Sequence, residues 1–153
     1  MELLIFKKHK ARDEATAQLE RLEKLVAVEP DFEEIEILLT APPEFARVSP
    51  DKCSGEMYWR DLYHDEAKTT ICFQNKWKEG AALSRHSHPD QFEYFYILKG
   101  ELELFLETSS GDMRRVVLSP NECEFRVDVG QVHEARAVSD CEFIVKFIKA
   151  GRV

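Results

Sequence analysis

Three histidines and one glutamate are the residues of this sequence best suited to chemistry. His86 and His88 are two residues apart, so on a strand both imidazoles would point to the same face. Glu93 follows after a loop of hairpin length, and a neighbouring strand about 4.8 Å away would bring its carboxylate to the same place. His133 opens a later strand and offers a fourth ligand. Such a set of nitrogens and one oxygen suits one divalent transition metal, and Mn, Fe, Co, Ni, Cu and Zn all fit.

The spacing around these residues resembles that of a known family. It consists of Gly80, five residues, His86-x-His88, four residues, Glu93, six residues and Gly100. This pattern matches the first motif of the cupins at every position. Five fixed identities at fixed spacing are a specific signal.

The second cupin motif is matched only in part. Gly130 and His133 occupy their usual positions, whereas Asp128 replaces the usual proline and Ala137 the usual asparagine. The resemblance implies a cupin-type double-stranded β-helix, or jelly-roll barrel, over roughly residues 55–149. It also implies that the three histidines and Glu93 hold a metal.

The pattern of the chain beyond Gly55 independently predicts an all-β sandwich or barrel of antiparallel hairpins. Short runs rich in aromatic and β-branched residues alternate there with turn signals. Two runs, Tyr94–Leu98 and Phe143–Ile148, are apolar on both faces. Their outer face must therefore be covered, either by the N-terminal segment, including a strand at Leu3–Phe6, or by a second subunit. We expect a homodimer.

The first 50 residues are predicted to form an N-terminal extension that packs on the barrel of residues 51–153 or on a dimer partner. Apolar residues recur at helical spacing over 13–28, which predicts an α-helix. Residues 31–40 fit either a short capped helix or a strand, and the alternation of their apolar residues favours the strand. The proline-rich residues 41–50 form a connector.

The alternation of side chains along the strands also predicts a substrate pocket. If Glu93 points into the barrel, residues two or four positions from each ligand point inward as well, whereas Tyr94 and Tyr96 point outward. The predicted pocket is largely apolar. It consists of Ser84, Phe95, Ile97, Gln131 and Ala135.

Composition limits the partners. The chain has 153 residues, 29 acidic and 21 basic, with a formal net charge of −8. The excess of negative charge would repel a phosphate backbone and an anionic membrane surface, so we expect no nucleic acid and no membrane partner. The sequence shows no signal peptide and no membrane-spanning run, and its four cysteines include no CxxC pair. These features predict a cytoplasmic protein with reduced thiols.

Two functions remain open at this point. The first is a metal-dependent enzyme acting on a small oxygen-rich metabolite, such as a carboxylate, an enediol or a sugar derivative, chelated at open positions of the metal. The second is a non-catalytic or regulatory module that binds a metal or a small ligand. Cupins include dioxygenases, decarboxylases, isomerases and lyases, so the resemblance leaves the reaction class undecided. Neither Ser84 nor Gln131 is a convincing general acid or base.

Overall fold

The structure is a computed structural model that describes residues 2–9, 32–39, 44–64, 66–120 and 124–150. All regular secondary structure in these ranges is β-strand. The predicted helix over residues 13–28 lies outside the described residues. No helix in the described ranges is long and apolar enough to cross a membrane.

Two strands precede the barrel. Strand β1 (Glu2–His9) and strand β2 (Phe32–Leu39) pair in antiparallel fashion. The strand predicted at Leu3–Phe6 is therefore confirmed, and the described part of the ambiguous run, Phe32–Leu39, is a strand. Ile35, Ile37 and Leu39 occupy alternate positions in it, which is the period of a strand.

The strands beyond Gly55 follow the runs predicted from the sequence, whereas the two-residue strand β3 (Ala46–Arg47) lies within the predicted connector. The strands beyond Gly55 are β4 (Met57–His64), β5 (Thr70–Trp77), β6 (Ala82–His86), β7 (Gln91–Lys99), β8 (Leu102–Glu107), β9 (Met113–Leu118), β10 (Phe125–Val127), β11 (His133–Ala137) and β12 (Cys141–Lys149). In the described part of the chain, β3 and these strands form two antiparallel sheets. The larger sheet has the order β10-β7-β12-β5-β4-β3 and the smaller sheet the order β6-β11-β8-β9. The two sheets enclose one core, which confirms the predicted all-β jelly roll.

Strand β8 shows how the core is filled. Leu102, Leu104 and Leu106 are each 0 % exposed, whereas Glu103 and Phe105 between them are only partly buried. This alternation puts every second residue of the smaller sheet against the larger one. Burying each leucine stabilises the fold by about 1.5–3 kcal/mol.

Strand β7 is buried on both faces, as its sequence predicted. Phe95 and Ile97 belong to the core between the sheets, whereas Tyr94 and Tyr96 pack in a second cluster on the outer face. These outer residues are buried within a single chain, and β1 lies close to β7. Covering the outer face therefore requires no second subunit.

Gly100 is required by the turn that follows β7. Its φ is +75°, in the left-handed region, and a Cβ built there would lie 2.2 Å from the carbonyl oxygen of Asp140. Only glycine accepts both the dihedral angle and the close approach. The turn directs the chain from the larger sheet into β8 of the smaller one, so the last glycine of the sequence motif has a structural reason.

Candidate metal centre

The four candidate ligands come from both sheets and meet at one end of the barrel. His86 is the last residue of β6, His88 lies in the following loop, and Glu93 is on β7. His133 is the first residue of β11 and is paired with His86 across the smaller sheet. The segment from the end of β6 into β7 carries three of the four residues, and the pairing of β11 with β6 adds the fourth. The hairpin predicted for this segment is wrong, because β6 and β7 belong to different sheets, and Glu93 approaches the histidines across the space between the sheets.

The potential ligand atoms of these residues all lie within 4.8 Å of one another. His133 Nε2 is 3.0 Å from Glu93 Oε1, and His88 Nε2 is 3.3 Å from the same oxygen. The ring centroids of His86 and His133 are 4.3 Å apart. The structure thus brings together all four residues that the sequence singled out.

Backbone carbonyls orient two of the imidazoles. His86 Nδ1 donates to the carbonyl of Ser84 at 2.7 Å, and His133 Nδ1 donates to the carbonyl of Gln131 at 2.9 Å. Because a carbonyl oxygen only accepts, each Nδ1 carries the proton and each Nε2 keeps a free lone pair. That lone pair is what a metal ligand needs, and such outer hydrogen bonds commonly fix ligand histidines.

The polar atoms at the centre have no satisfactory hydrogen bonds. His88 Nε2, Glu93 Oε1 and His133 Nε2 are buried, and none has a hydrogen-bond partner of acceptable geometry in the described part of the chain. Leaving one buried polar atom unsatisfied costs about 1–3 kcal/mol. Three such atoms converging on one point fit a bound cation, which would satisfy them together.

The charges of the cluster are coupled. Burial raises the pKa of Glu93, but the adjacent His133 and His88 outweigh burial and hold that pKa below its ordinary value. Burial lowers the pKa of His133, but Glu93 outweighs this and raises the pKa above 6.5. For His86, burial dominates and lowers the pKa. Glu93 therefore stays ionised and supplies a negative charge to the site.

A small cavity of about 110 Å³ adjoins the four residues. Its wall is mostly aromatic and aliphatic. It is lined by Phe73, Asn75, Trp77, Leu83, His86, His88, Glu93, Phe95, His133, Ala135, Phe143, Val145 and Phe147. Of the predicted pocket residues, the structure places Phe95 and Ala135 in this wall, and Ile97 in the core outside it.

Ser84 does not reach the cavity, which corrects the sequence-based prediction. On β11 Ala135 is two positions after His133, whereas on β6 its partner Leu83 is three positions before His86. This β-bulge reverses the side-chain alternation. Leu83 therefore faces the cavity, and Ser84 is exposed in a separate groove.

Gln131 also lies outside the cavity wall, because its side chain braces the turn before His133. Its Nε2 donates to the carbonyl of Glu107 at 3.0 Å, and its Oε1 accepts from the backbone N–H of Asp128 at 2.9 Å. Both ends of the amide are therefore used within the fold.

Asn75 lines the cavity and was missed from the sequence. No ligand lies on β5, so nothing fixed which of its faces points inward. A signal was present, because Asn75 alternates with Phe73 and Trp77. A small polar residue between two aromatic residues on one strand face is unusual for pure packing.

Comparison with known proteins agrees with this geometry. Residues 76–147 match the family model described as the cupin domain. This segment is a cupin domain. The matched range begins within β5, ends within β12 and contains all four residues of the candidate metal centre.

Solved structures show the same fold. KdgF from Halomonas sp. is 24 % identical, with a TM-score of 0.55 over 72 % of this cupin and 88 % of that chain. A predicted oxalate decarboxylase from Thermotoga maritima is 24 % identical, with a TM-score of 0.58 over 69 % and 91 %. An acetylacetone dioxygenase from Acinetobacter johnsonii is 16 % identical, with a TM-score of 0.53 over 68 % and 67 %. No curated protein matches this cupin in sequence.

Proposed function

We propose that this cupin binds one divalent transition metal through His86, His88, Glu93 and His133 and acts as a metal-dependent enzyme on a small oxygen-rich metabolite. The observation that carries the proposal is the convergence of three buried ligand atoms without hydrogen-bond partners in the described residues. Structural zinc sites use four ligands and are closed, whereas larger coordination numbers leave positions for a substrate. The adjoining cavity is where a substrate would enter those positions.

The residues present suit several metals. Three imidazole nitrogens and one carboxylate oxygen accept Mn, Fe, Co, Ni, Cu or Zn. When bound, the ion would polarise a chelated oxygen as a Lewis acid or, if it is iron, support chemistry with O₂. The protein holds the ligands in place through the carbonyls of Ser84 and Gln131. The aromatic wall, with Phe73, Phe143 and Phe147, keeps water from the substrate.

The cavity favours a small substrate. Its volume of about 110 Å³ is well below the roughly 300–1,000 Å³ of pockets for drug-sized ligands. A small carboxylate or enediol fits this volume more readily than a sugar derivative. The names of two structural neighbours, an oxalate decarboxylase and an acetylacetone dioxygenase, refer to small oxygen-bearing compounds, which supports the same class.

A second candidate is a non-catalytic module that binds a metal or a small ligand. The cavity wall favours it in one respect, because among the lining residues that the structure describes only Asn75 is polar besides the four proposed ligands. An amide is neither a general acid nor a general base. Catalysis would therefore depend on the metal and on the ligand residues themselves.

Turnover separates the two candidates. The protein should be loaded in turn with Fe²⁺, Mn²⁺, Co²⁺, Ni²⁺ and Zn²⁺ and screened with small carboxylates and diols for O₂ consumption and for product by mass spectrometry. We expect turnover with at least one metal, and none with the His88→Ala variant under the same conditions. Stoichiometric metal binding with ligand binding but without turnover would favour the module instead.

We also propose that residues 1–50 form an extension on the barrel of residues 51–153 and that the protein is a homodimer. The close approach of β1 to β7 supports the first statement. Tyr63 on β4 is 53 % exposed, and this large exposed side chain on the outer face of the sheet supports an interface there. Light scattering at micromolar concentration should give twice the mass of one chain, and a monomer would contradict the dimer.

A further inference from the structure

Asn75 is a buried polar side chain that the fold does not use. It is 6 % exposed, and its Nδ2 is buried without a hydrogen-bond partner in the described residues. The neighbouring amide of Gln74 is different, because its Oε1 accepts hydrogen bonds from Arg60 Nε at 2.9 Å and from Nη2 at 2.6 Å. Gln74 lies on the outer face of β5, whereas Asn75 lines the cavity. The unused donor thus belongs to the face where a substrate would bind.

Asn75 lies across the cavity from the metal cluster. In the larger sheet Glu93 is paired with Phe147 of β12, whereas Asn75 is paired with Phe143 of the same strand. Asn75 is therefore two strands away from Glu93, and its partner on β12 is four residues before that of Glu93. The wall between them is apolar and includes Val145 and Phe73.

We propose that Asn75 is a substrate-binding residue whose Nδ2 donates a hydrogen bond to an oxygen at the end of the substrate remote from the metal. This inference rests on the proposed function, because the metal would hold the other end. An unpaired amide N–H in an apolar wall is costly to the free protein and gains a partner only when such an oxygen arrives. A substrate without that oxygen would leave the donor unpaired and would bind more weakly.

The remote oxygen should be neutral. The cavity wall contains no lysine and no arginine among the residues that the structure describes. A carboxylate placed against Asn75 would lose its hydration without gaining a cation, which is strongly unfavourable. A ketone or hydroxyl oxygen loses less on burial, and one amide donor satisfies it. The substrate class is thus a short molecule with a chelating group at one end, an apolar middle and a carbonyl or hydroxyl oxygen at the other.

Three simple carboxylates of similar length test this assignment. Levulinate carries a ketone at its fourth carbon, 4-methylpentanoate carries a methyl group in place of that oxygen, and succinate carries a second carboxylate. Their dissociation constants should be measured by calorimetry on the Co²⁺-loaded protein. We expect levulinate to bind about tenfold more tightly than 4-methylpentanoate, which is the effect of one hydrogen bond. We expect succinate to bind more weakly than levulinate.

The variant Asn75→Leu should remove the advantage of levulinate and leave Co²⁺ binding unchanged. The matched control is Gln74→Leu on the opposite face of the same strand, which should keep the advantage. If the Co²⁺-loaded wild type binds levulinate and 4-methylpentanoate with equal affinity, the role of Asn75 is overturned, whereas the proposed metal site is not affected. Failure of the wild type to bind Co²⁺ would overturn the proposed function and this assignment with it.

Thermal unfolding of the metal-free protein gives a second readout. Replacing an unpaired buried amide by leucine removes an unsatisfied donor, so Asn75→Leu should raise the Tm by a few degrees. Gln74→Leu should lower the Tm, because it removes the acceptor of the buried Arg60. A fall in Tm for Asn75→Leu comparable to that of the control would show that the amide supports the fold, which would overturn the assignment.

Discussion

Several buried polar groups on the two faces of the larger sheet differ in their hydrogen bonding. On the outer face the Tyr96 hydroxyl donates to Glu124 Oε2 at 2.6 Å, and Arg60 donates to Gln74. On the cavity face, atoms of Asn75 and of the metal cluster are buried without partners in the described residues. Paired groups serve stability, whereas unpaired ones lower it and are retained when a ligand completes them. The contrast therefore separates the part of the sheet that holds the fold from the part that we propose to bind the metal and the substrate.

The largest effect is expected from replacing a proposed metal ligand on the cavity face. The variant His88→Ala should lower metal affinity by well over about 100-fold, since loss of an outer hydrogen-bond partner alone costs about 10–100-fold. Metal content by mass spectrometry after dialysis should fall from one equivalent to near zero. The control His64→Ala changes an exposed histidine that pairs with Asp61 and should retain the metal. A full equivalent in His88→Ala would rule out the proposed ligand set.

Removing the metal should lower the stability of the whole barrel, because the four ligands join β6, β7 and β11. A ligand at 100 times its Kd stabilises the folded state by about 2.7 kcal/mol, which corresponds to about 5–10 °C in Tm for a chain of this size. Calorimetry before and after chelation, with metal removal verified, measures the difference. An unchanged Tm would mean that the cluster binds no metal of consequence to the fold.

Removing one partner of a hydrogen-bonded pair on the outer face should lower the stability of the fold and leave metal binding unchanged. The variant Tyr96→Phe removes the hydroxyl that donates to the buried Glu124 and should lower the stability by about 1–3 kcal/mol. The double variant with Glu124→Leu should recover part of this loss, because both partners are then apolar. Denaturant unfolding measures both, and metal content should stay at one equivalent. A loss of metal in Tyr96→Phe would show that the two faces are coupled.

Acidification should weaken metal binding before it protonates the carboxylate. The pKa of His133 is raised above 6.5, so protons compete for its nitrogen already above that pH, whereas the lowered pKa of Glu93 keeps the carboxylate ionised below pH 4.5. Metal affinity should fall by about tenfold or more per pH unit below pH 6.5. In the metal-free protein, acidification has the opposite effect through His133, because it stabilises the fold. The raised pKa of His133 adds stability below pH 6.5, which is lost as the pH rises through the folded value.

Acidification thus weakens metal binding but stabilises the metal-free protein, and this difference can be measured directly. The Tm gained on adding metal should shrink steadily between pH 8 and pH 5, and Tm measurements with and without metal on the same buffers would show it. A constant difference across this range would argue against histidine ligands.

The sequence predicted the parts of the structure that depend on local pattern. The short spacing of His86, His88 and Glu93 predicted one shared site, although β6 and β7 belong to different sheets and do not form the predicted hairpin. The two-faced run of β7 likewise predicted that Tyr94 and Tyr96 would point away from the core, because alternation along a single strand is a property of that strand. The family motif added His133, which local pattern alone could only suggest.

What the sequence by itself determined is most of the barrel strands, the family and the four residues of the candidate metal centre. Tertiary structure alone decided which neighbours share the cavity with them. The bulge in β6 arises from its pairing with β11, and it exchanges Ser84 for Leu83. The inward face of Asn75 is set by the pairing of β5 with β12, a strand about 70 residues later in the chain. Strand register between distant segments is fixed by packing over the whole barrel, and no local pattern contains that information.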